Sequence, residues 1–332
     1  MTSPGPDTTV PIGVYHSPAV DIGPVQEYEA FLGMPAGTTV AWVLAFMADN
    51  PSWAQFENAI LAASTNGPPG TASAISWAGL LGPRKLMLAV PACCQGTSWA
   101  GEASGVNDGH WTGLARTLVN GGLGGCALRI AREFSAGWYR WKASPANVSN
   151  FAAGWTRIVH VMRSAGFTGT FIWNPYLGQG NFGSGSDVAA AYPADGSVVD
   201  AIGLDFYDGP SSNYPPGEVI RTPAQQQAVW NGFLTQTDGL NGWRNFAAGK
   251  GKPLCYPEWG LRLWNDGSTY AGGGDNPLLI REMAAWLKDS GAWMHALWED
   301  PGRGVCDPDN APFRQVAVPQ ARAAFLAAFG WR

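Results

Sequence analysis

Short apolar runs alternate with longer amphipathic segments along the 332-residue chain. Each run has the length of a buried strand, and the segments between them place apolar residues at helical spacing, as at Phe151, Trp155 and Val159. Strands alternating with helices indicate parallel βαβ units, and eight such units favour a closed barrel over an open sheet. We therefore predict an α/β fold, a single (β/α)8 TIM barrel. The predicted strands are 12–15, 40–46, 85–90, 126–132, 168–173, 199–206, 253–258 and 293–298.

The length fits one catalytic barrel domain spanning 1–332. Residues 1–11 are polar and proline-rich and are predicted to be a flexible N-terminus. They lack the basic and apolar regions of a signal peptide. We therefore expect a cytoplasmic protein, or a secreted one if a signal peptide has been removed from the chain. The sequence does not indicate an oligomeric state.

The composition excludes several classes of partner. Charged residues make up 14% of the chain, the net charge is −5, and Lys and Arg form no run, so nucleic acid is not an expected partner. No apolar run approaches the roughly 20 residues that a membrane span requires. The five Cys and four His show no zinc-site spacing, so we expect neither a metal nor another cofactor. Packing in the core would account for more than half of the 17 Trp, and indoles outside the core can stack on sugar rings.

Two glutamates end predicted strands. Glu133 closes the fourth strand and Glu258 the seventh. In a barrel the active site lies at the carboxyl ends of the strands, and hydrolysis of a glycosidic bond requires two carboxyl groups that flank it. The pattern predicts a glycosidase site, with the two carboxyl groups about 5–5.5 Å apart if the mechanism is retaining. Arg129 lies four residues before Glu133, on the same face of the strand, where it can hold Glu258 ionised or form an ion pair inside the barrel.

Several segments resemble glycoside hydrolase family 26, best known for β-mannanases. This family belongs to a clan of retaining barrel glycosidases with acid/base and nucleophile on strands four and seven. The resemblance lies in the order and spacing of the matching segments, which together span most of the chain. The matching segments are Asp108–Trp111, Leu128–Trp141, Phe171–Pro175, Asp200–Tyr207, Lys252–Gly260 and Ala296–Trp298.

The resemblance implies a role for particular residues. Glu133 would be the acid/base and Glu258 the nucleophile, with Tyr207 in contact with Glu258. The family usually has His immediately before the acid/base, and this chain has Arg132, close to the expected substrate. The other expected substrate-binding residues are Arg129, Trp173, Trp298, Trp138 and Trp141 as contacts or sugar platforms, and Asn174 and Asp205 as hydroxyl binders.

The expected activity is retaining endo-hydrolysis of a neutral polysaccharide. A β-mannan is favoured by the resemblance, and an intracellular α-mannose polymer, methylated or not, fits the missing signal peptide. Arabinan and β-glucan remain alternatives. A barrel that only binds glycan would lack one carboxylate, and both are present. A lyase or aldolase would need a metal cluster, a Schiff-base Lys or a phosphate loop, and the predicted strand ends offer no such Lys.

Overall fold

A computed structural model gives the structure of the protein. It describes residues 10–15, 22–62, 69–184, 186–215, 217–218, 220–263, 272–299, 304–306 and 316–331. The predicted flexible N-terminus lies outside these ranges except for residues 10 and 11.

Eight parallel strands form a closed barrel. They are β1 (Ile12–Tyr15), β2 (Trp42–Phe46), β5 (Lys85–Val90), β6 (Ala127–Ile130), β7 (Thr170–Trp173), β8 (Ala201–Tyr207), β9 (Leu254–Gly260) and β10 (His295–Trp298). Their order around the barrel is β1-β10-β9-β8-β7-β6-β5-β2. The predicted (β/α)8 architecture is therefore confirmed.

Two further strands, β3 (Ile60–Ala62) and β4 (Pro69–Ser73), pair antiparallel outside the barrel. This pair was not predicted, because neither strand shows a regular apolar alternation. It lies between the second and third barrel strands and leaves the barrel order unchanged.

Helices follow the strands and cover the barrel. The α-helices in the described ranges are α1 (Gly23–Phe31), α2 (Trp53–Glu57), α3 (Ala74–Ala78), α4 (Trp99–Ser104), α5 (Asp108–Asn120), α6 (Val148–Ser164), α7 (Pro223–Thr235), α8 (Leu240–Lys250), α9 (Pro277–Asp289) and α10 (Pro319–Phe329). Pro277 occupies the first turn of α9, and the side chain of Asn276 caps this helix by accepting from the Leu279 N–H. None of the helices in the part of the chain that the structure describes has the length and apolarity needed to cross a membrane.

The apolar side chains form two layers because successive residues of a strand point to opposite faces. One layer fills the inside of the barrel and includes Leu44, Met87 and Ile172. The other lies between the strands and the helices and includes Trp155 and Trp173. This alternation decides which strand-end residues face the mouth of the barrel and which face the surrounding helices.

Candidate active site

Glu258 lies near the carboxyl end of β9 with its side chain in the barrel mouth. The residue is 6% exposed. The phenol of Tyr207, at the end of the neighbouring strand β8, donates to Glu258 Oε1 at 2.5 Å. Arg129 Nη1 donates to Glu258 Oε2 at 3.3 Å. Both carboxylate oxygens thus accept hydrogen bonds, which fixes the orientation of the side chain.

Glu133 enters the mouth from a turn and not from a strand. The prediction that strand four runs to residue 132 was wrong, because β6 ends at Ile130. Ala131 and Glu133 have φ angles of 53° and 51°, in the left-handed region that disfavours residues with a Cβ. Strained backbone of this kind persists where the surroundings impose it and is concentrated at functional sites. The turn directs the Glu133 carboxyl toward Glu258.

Hydrogen bonds on both sides hold this turn in place. The Ala131 N–H donates to the Val90 carbonyl at 2.9 Å, and the Ala136 N–H donates to the Glu133 carbonyl at 2.9 Å. The indole of Trp141 donates to the carbonyl of Arg132 at 2.8 Å. The left-handed residues are therefore fixed by the backbone of β5 and by the following loop.

The two glutamates form a close carboxyl cluster with Asp205. Each of Glu133, Asp205 and Glu258 has a carboxylate oxygen within 4.8 Å of one from the others. The guanidinium of Arg129 is completely buried among them and donates to Asp205 and to Glu258. This spacing would also suit a metal ion, but here the Arg129 cation already bonds two of the three carboxylates.

Asn174 and Asp205 hold Arg129 and do not face the mouth. Arg129 Nε donates to Asn174 Oδ1 at 2.6 Å, and Nη2 donates to Asp205. Both residues are fully buried. The expectation that they bind sugar hydroxyls is corrected, because their polar atoms serve the guanidinium below the carboxyl pair. The structure shows both contacts that were expected for Arg129. It forms an ion pair with Asp205 inside the barrel and donates a hydrogen bond to Glu258.

Burial and, after it, the charge of the neighbouring Glu258 raise the pKa of the Glu133 carboxyl to about 7. The cations of Arg132 and Arg129 and the Trp138 N–H act in the opposite direction. A buried carboxyl next to a second carboxylate keeps its proton near neutral pH. Glu133 can therefore donate a proton where an ordinary glutamate could not.

Arg132 is enclosed below the mouth by aromatic rings. Its guanidinium carbon lies 4.8 Å from the Phe46 ring centre and 4.6 Å from the Tyr139 ring centre. Its Nη2 donates to Tyr139 Oη at 3.0 Å and to Asp49 Oδ1 at 3.2 Å. Arg132 is 3% exposed, so it offers little surface for direct contact with a sugar. Its charge, however, acts on Glu133.

The four predicted tryptophan platforms divide into two groups. Trp298 lies inside the barrel, stacks on Tyr15 at 4.2 Å and meets Tyr207 edge-on. Trp138 is 60% exposed, and its Nε1 donates to Glu133 Oε2 at 3.1 Å. Trp173 and Trp141 are fully buried, so their prediction as platforms is corrected.

The physical reason differs for the two buried rings. Trp173 follows Ile172, which points into the barrel, so Trp173 points outward and packs on Phe134 and Trp243. Trp141 stacks on Tyr139 at 4.5 Å inside its own loop.

Several residues of the mouth were not identified from the sequence. Tyr15 and Phe46, at the ends of β1 and β2, lie against Trp298 at 4.2 Å and 5.5 Å. Tyr176, after β7, meets Trp138 edge-on with ring centres 5.1 Å apart. Their position at strand ends was the available signal, but apolar and aromatic strand ends are common in barrel cores.

No protein-family model matches the chain, and none of the curated protein sequences does. Its fold is similar to solved structures of family 26 enzymes. A modular endo-β-1,4-mannanase from Cellulomonas fimi, described as a glycoside hydrolase family 26 mannanase, is 17% identical with a TM-score of 0.59, over 97% of this chain and 74% of that chain. A GH26 β-mannanase from Bacteroides ovatus is 15% identical with a TM-score of 0.53, over 96% and 88%.

A hyperthermostable endo-1,4-β-D-mannanase from Thermotoga petrophila is 13% identical with a TM-score of 0.56, over 99% of each chain. Identities this low establish a shared fold and leave the chemistry to the site itself. The resemblance to glycoside hydrolase family 26 drawn from the sequence is thus confirmed at the level of the fold.

Proposed function

We propose that the protein is a retaining glycoside hydrolase that cuts within a neutral polysaccharide. The observation that carries this proposal is the pair of carboxyls in the barrel mouth, with oxygens of Glu133 and Glu258 within 4.8 Å of each other. Retaining enzymes place their carboxyls about 5–5.5 Å apart, whereas inverting enzymes leave about 6.5–9.5 Å for a water. The short separation favours direct attack by a carboxylate.

The environments of the two carboxyls assign their roles. Glu258, paired with Arg129 and oriented by Tyr207, attacks the anomeric carbon and forms a glycosyl-enzyme ester. Glu133 gives its proton to the leaving glycosidic oxygen, since burial and the Glu258 charge keep it protonated near neutral pH. In the second step Glu133 takes a proton from water, and the water oxygen attacks the anomeric carbon and releases Glu258.

The charge around the carboxyl pair supports a neutral sugar. The guanidiniums of Arg129 and Arg132 are buried and bonded to carboxylates. Arg262 is a further cation near the mouth, where its charge acts on Tyr176. Neither of the two buried arginines is available to pair with a uronate, because their charges are already paired.

Among neutral glycans, a mannan-type polymer is favoured. The support is the fold that the chain shares with solved structures of β-mannanases. The candidates are β-mannan and an α-mannose polysaccharide, with arabinan and β-glucan as alternatives. Trp138 and Trp298 supply the aromatic faces on which sugar rings would stack.

The experiment is product analysis after incubation with β-mannan, α-mannan, methylated mannan, arabinan and β-glucan. Glu133→Gln and Glu258→Gln are the catalytic controls, and Asp200→Asn, at the opposite end of β8 from Tyr207, is the matched control. We expect oligosaccharides from one polymer with wild type and Asp200→Asn, and none with the two glutamine variants. Binding without cleavage by the wild-type protein would overturn the proposal in favour of a glycan-binding barrel.

A further inference from the structure

Asp208 is a second buried carboxylate next to the site, and the reaction described above does not use it. It follows Tyr207 directly at the end of β8 and is fully buried. Its Oδ1 accepts from the Tyr214 phenol at 2.8 Å, and its Oδ2 accepts from Asn276 Nδ2 at 2.8 Å. One carboxylate thus joins the loop after β8 to the residue that caps α9.

The backbone of Asp208 is held as firmly as its side chain. Its N–H donates to the Gly260 carbonyl at the end of β9, at 3.0 Å, and its carbonyl accepts from the Gly273 N–H at 3.0 Å. All four polar atoms of Asp208 are therefore bonded to residues of the β8 and β9 loops. Since the Tyr207 backbone is continuous with Asp208, these bonds also fix where the Tyr207 phenol can reach.

The surrounding chain is shaped to accept this carboxylate. A Cβ placed on Gly273 would lie 1.7 Å from Asp208 Oδ2, so any residue larger than glycine would displace the carboxylate. Arg221 donates to the Gly272 carbonyl at 2.9 Å and to the Pro215 carbonyl at 2.8 Å, and its guanidinium lies over the Tyr214 ring. Gln226 donates to the Gly273 carbonyl at 3.2 Å. The two loops are tied together around Asp208.

An acid at this position is disfavoured for stability. Burial raises the pKa of Asp208 to about 6, against the bonds from Asn276 and Tyr214 and the charge of Arg221 that favour ionisation. An asparagine of the same shape has one acceptor oxygen, so it could accept from only one of Tyr214 and Asn276. The ionised group accepts both bonds strongly, and charge-assisted bonds are shorter and more directional than neutral ones.

We propose that Asp208 is a positioning residue that holds Tyr207 in hydrogen-bonding register with the nucleophile Glu258. Tyr207 and Gly260 are register partners across β8 and β9, and Glu258 lies two residues before Gly260. The Asp208 N–H bond to Gly260 is the next link of that ladder beyond the nucleophile. Loosening it lets the phenol move away from Glu258 Oε1, which it now meets at 2.5 Å. This role rests on the proposed function of Glu258.

The test compares Asp208→Asn with Asp200→Asn. Asp200 is at the other end of β8, where it accepts from the Phe171 N–H at 2.8 Å and pairs with Arg163, remote from the nucleophile. The readout is the rate at which an activated 2-deoxy-2-fluoroglycoside of the cleaved sugar labels Glu258, followed by mass spectrometry. In this step a Glu258 oxygen bonds to the anomeric carbon and the aglycone leaves with the bonding pair.

We expect Asp208→Asn to label about tenfold more slowly than wild type, since small misplacements of reacting groups carry penalties of this order. Asp200→Asn should stay within about twofold. In a Tyr207→Phe background the Asp208→Asn effect should vanish, because Asp208 acts through the phenol. An equal loss in both backgrounds would overturn the proposal. If Asp208→Asn does not fold, Tyr214→Phe removes one of its two side-chain donors and should slow labelling in the same direction.

A second readout does not depend on activity. Protein labelled with carbon-13 at the tyrosine Cζ gives a signal for Tyr207, assigned by its loss in Tyr207→Phe. Asp208→Asn should shift that signal toward the value of a weaker hydrogen bond, and Asp200→Asn should leave it in place. If no polymer of the panel is cleaved, the proposed function fails, while an unshifted Tyr207 signal in Asp208→Asn would separately overturn the role of Asp208.

Discussion

Trp138 donates its indole N–H to Oε2 of Glu133 at 3.1 Å while its ring remains 60% exposed beside the carboxyl. One side chain thus combines a hydrogen bond to Glu133 with an exposed apolar face. A carbonyl oxygen accepts more strongly than a hydroxyl oxygen, so this bond favours placing the proton of the neutral acid on Oε1.

Phenylalanine at position 138 separates these two contributions. Trp138→Phe keeps a ring and removes the N–H. That N–H favours the ionised form of Glu133. We expect the pKa of Glu133 to rise, and the alkaline limb of the kcat/KM profile to move to higher pH, with KM within about twofold of wild type. Trp138→Ala also removes the stacking face, so its KM should rise by about three- to tenfold. Identical pH profiles for the two variants and wild type would contradict the hydrogen bond.

The pH dependence of wild-type activity follows from the Glu133 environment. With a pKa of about 7, the carboxyl loses its proton as the pH rises through neutrality, and kcat/KM should fall there. The Glu258 charge is one cause of the raised pKa, so Glu258→Gln should lower the pKa of Glu133. Carbon-13 NMR of the labelled Glu133 carboxyl in that variant measures the change, and an unaltered titration would show that the two groups are not coupled.

The raised pKa of Glu133 also predicts a stability effect. The folded pKa of about 7 exceeds 4.5, the ordinary value for a glutamate, so the folded state holds this proton more tightly than the unfolded state. The stabilisation is present below pH 4.5 and is lost as the pH rises through 7. Glu133→Gln, which cannot ionise, should therefore be more stable than wild type above pH 7, by up to about 3 kcal/mol, and similar below pH 4.5. Thermal unfolding across this range measures the difference, and a variant of lower stability at pH 8 would refute the assignment.

Arg129 is predicted to be essential for folding stability as well as for the site. Arg129→Met leaves the carboxylates of Asp205 and Glu258 buried without their cation, which should reduce the free energy of unfolding by about 3–5 kcal/mol at neutral pH. Adding Asp205→Asn removes one of the two charges and should recover part of the loss. Urea unfolding of both variants tests this, and a larger loss in the double variant would contradict the ion-pair account.

The sequence was sufficient for the barrel and for its two glutamates. Strand length, apolar runs and helical spacing are local properties, so the eight barrel strands could be predicted to within a few residues. Glu133 and Glu258 both lie in the mouth because the carboxyl ends of parallel strands meet there. The family resemblance placed Tyr207 in contact with Glu258, where the structure has it.

The errors arose where tertiary contacts decide orientation. Trp173 and Trp298 both end predicted strands, but only the inward register of Trp298 brings it to the mouth. The left-handed turn at Ala131 and Glu133 depends on bonds from β5 and from the following loop, which have no signature in the local sequence. Asn174 and Asp205 are polar residues near strand ends and were for that reason expected to bind sugar hydroxyls. Asp208 is a third polar residue of this kind. Their burial follows from partners far along the chain.

The stereochemistry of hydrolysis tests the central claim most directly. Proton NMR of the polymer that the enzyme cleaves reports the anomer of the first reducing ends, before mutarotation. Attack by Glu258 and then by water inverts the anomeric carbon twice, so the first product should have the configuration of the bond that was cut. A first product of the opposite configuration would show a single displacement by water, and Glu258 would then not be the nucleophile.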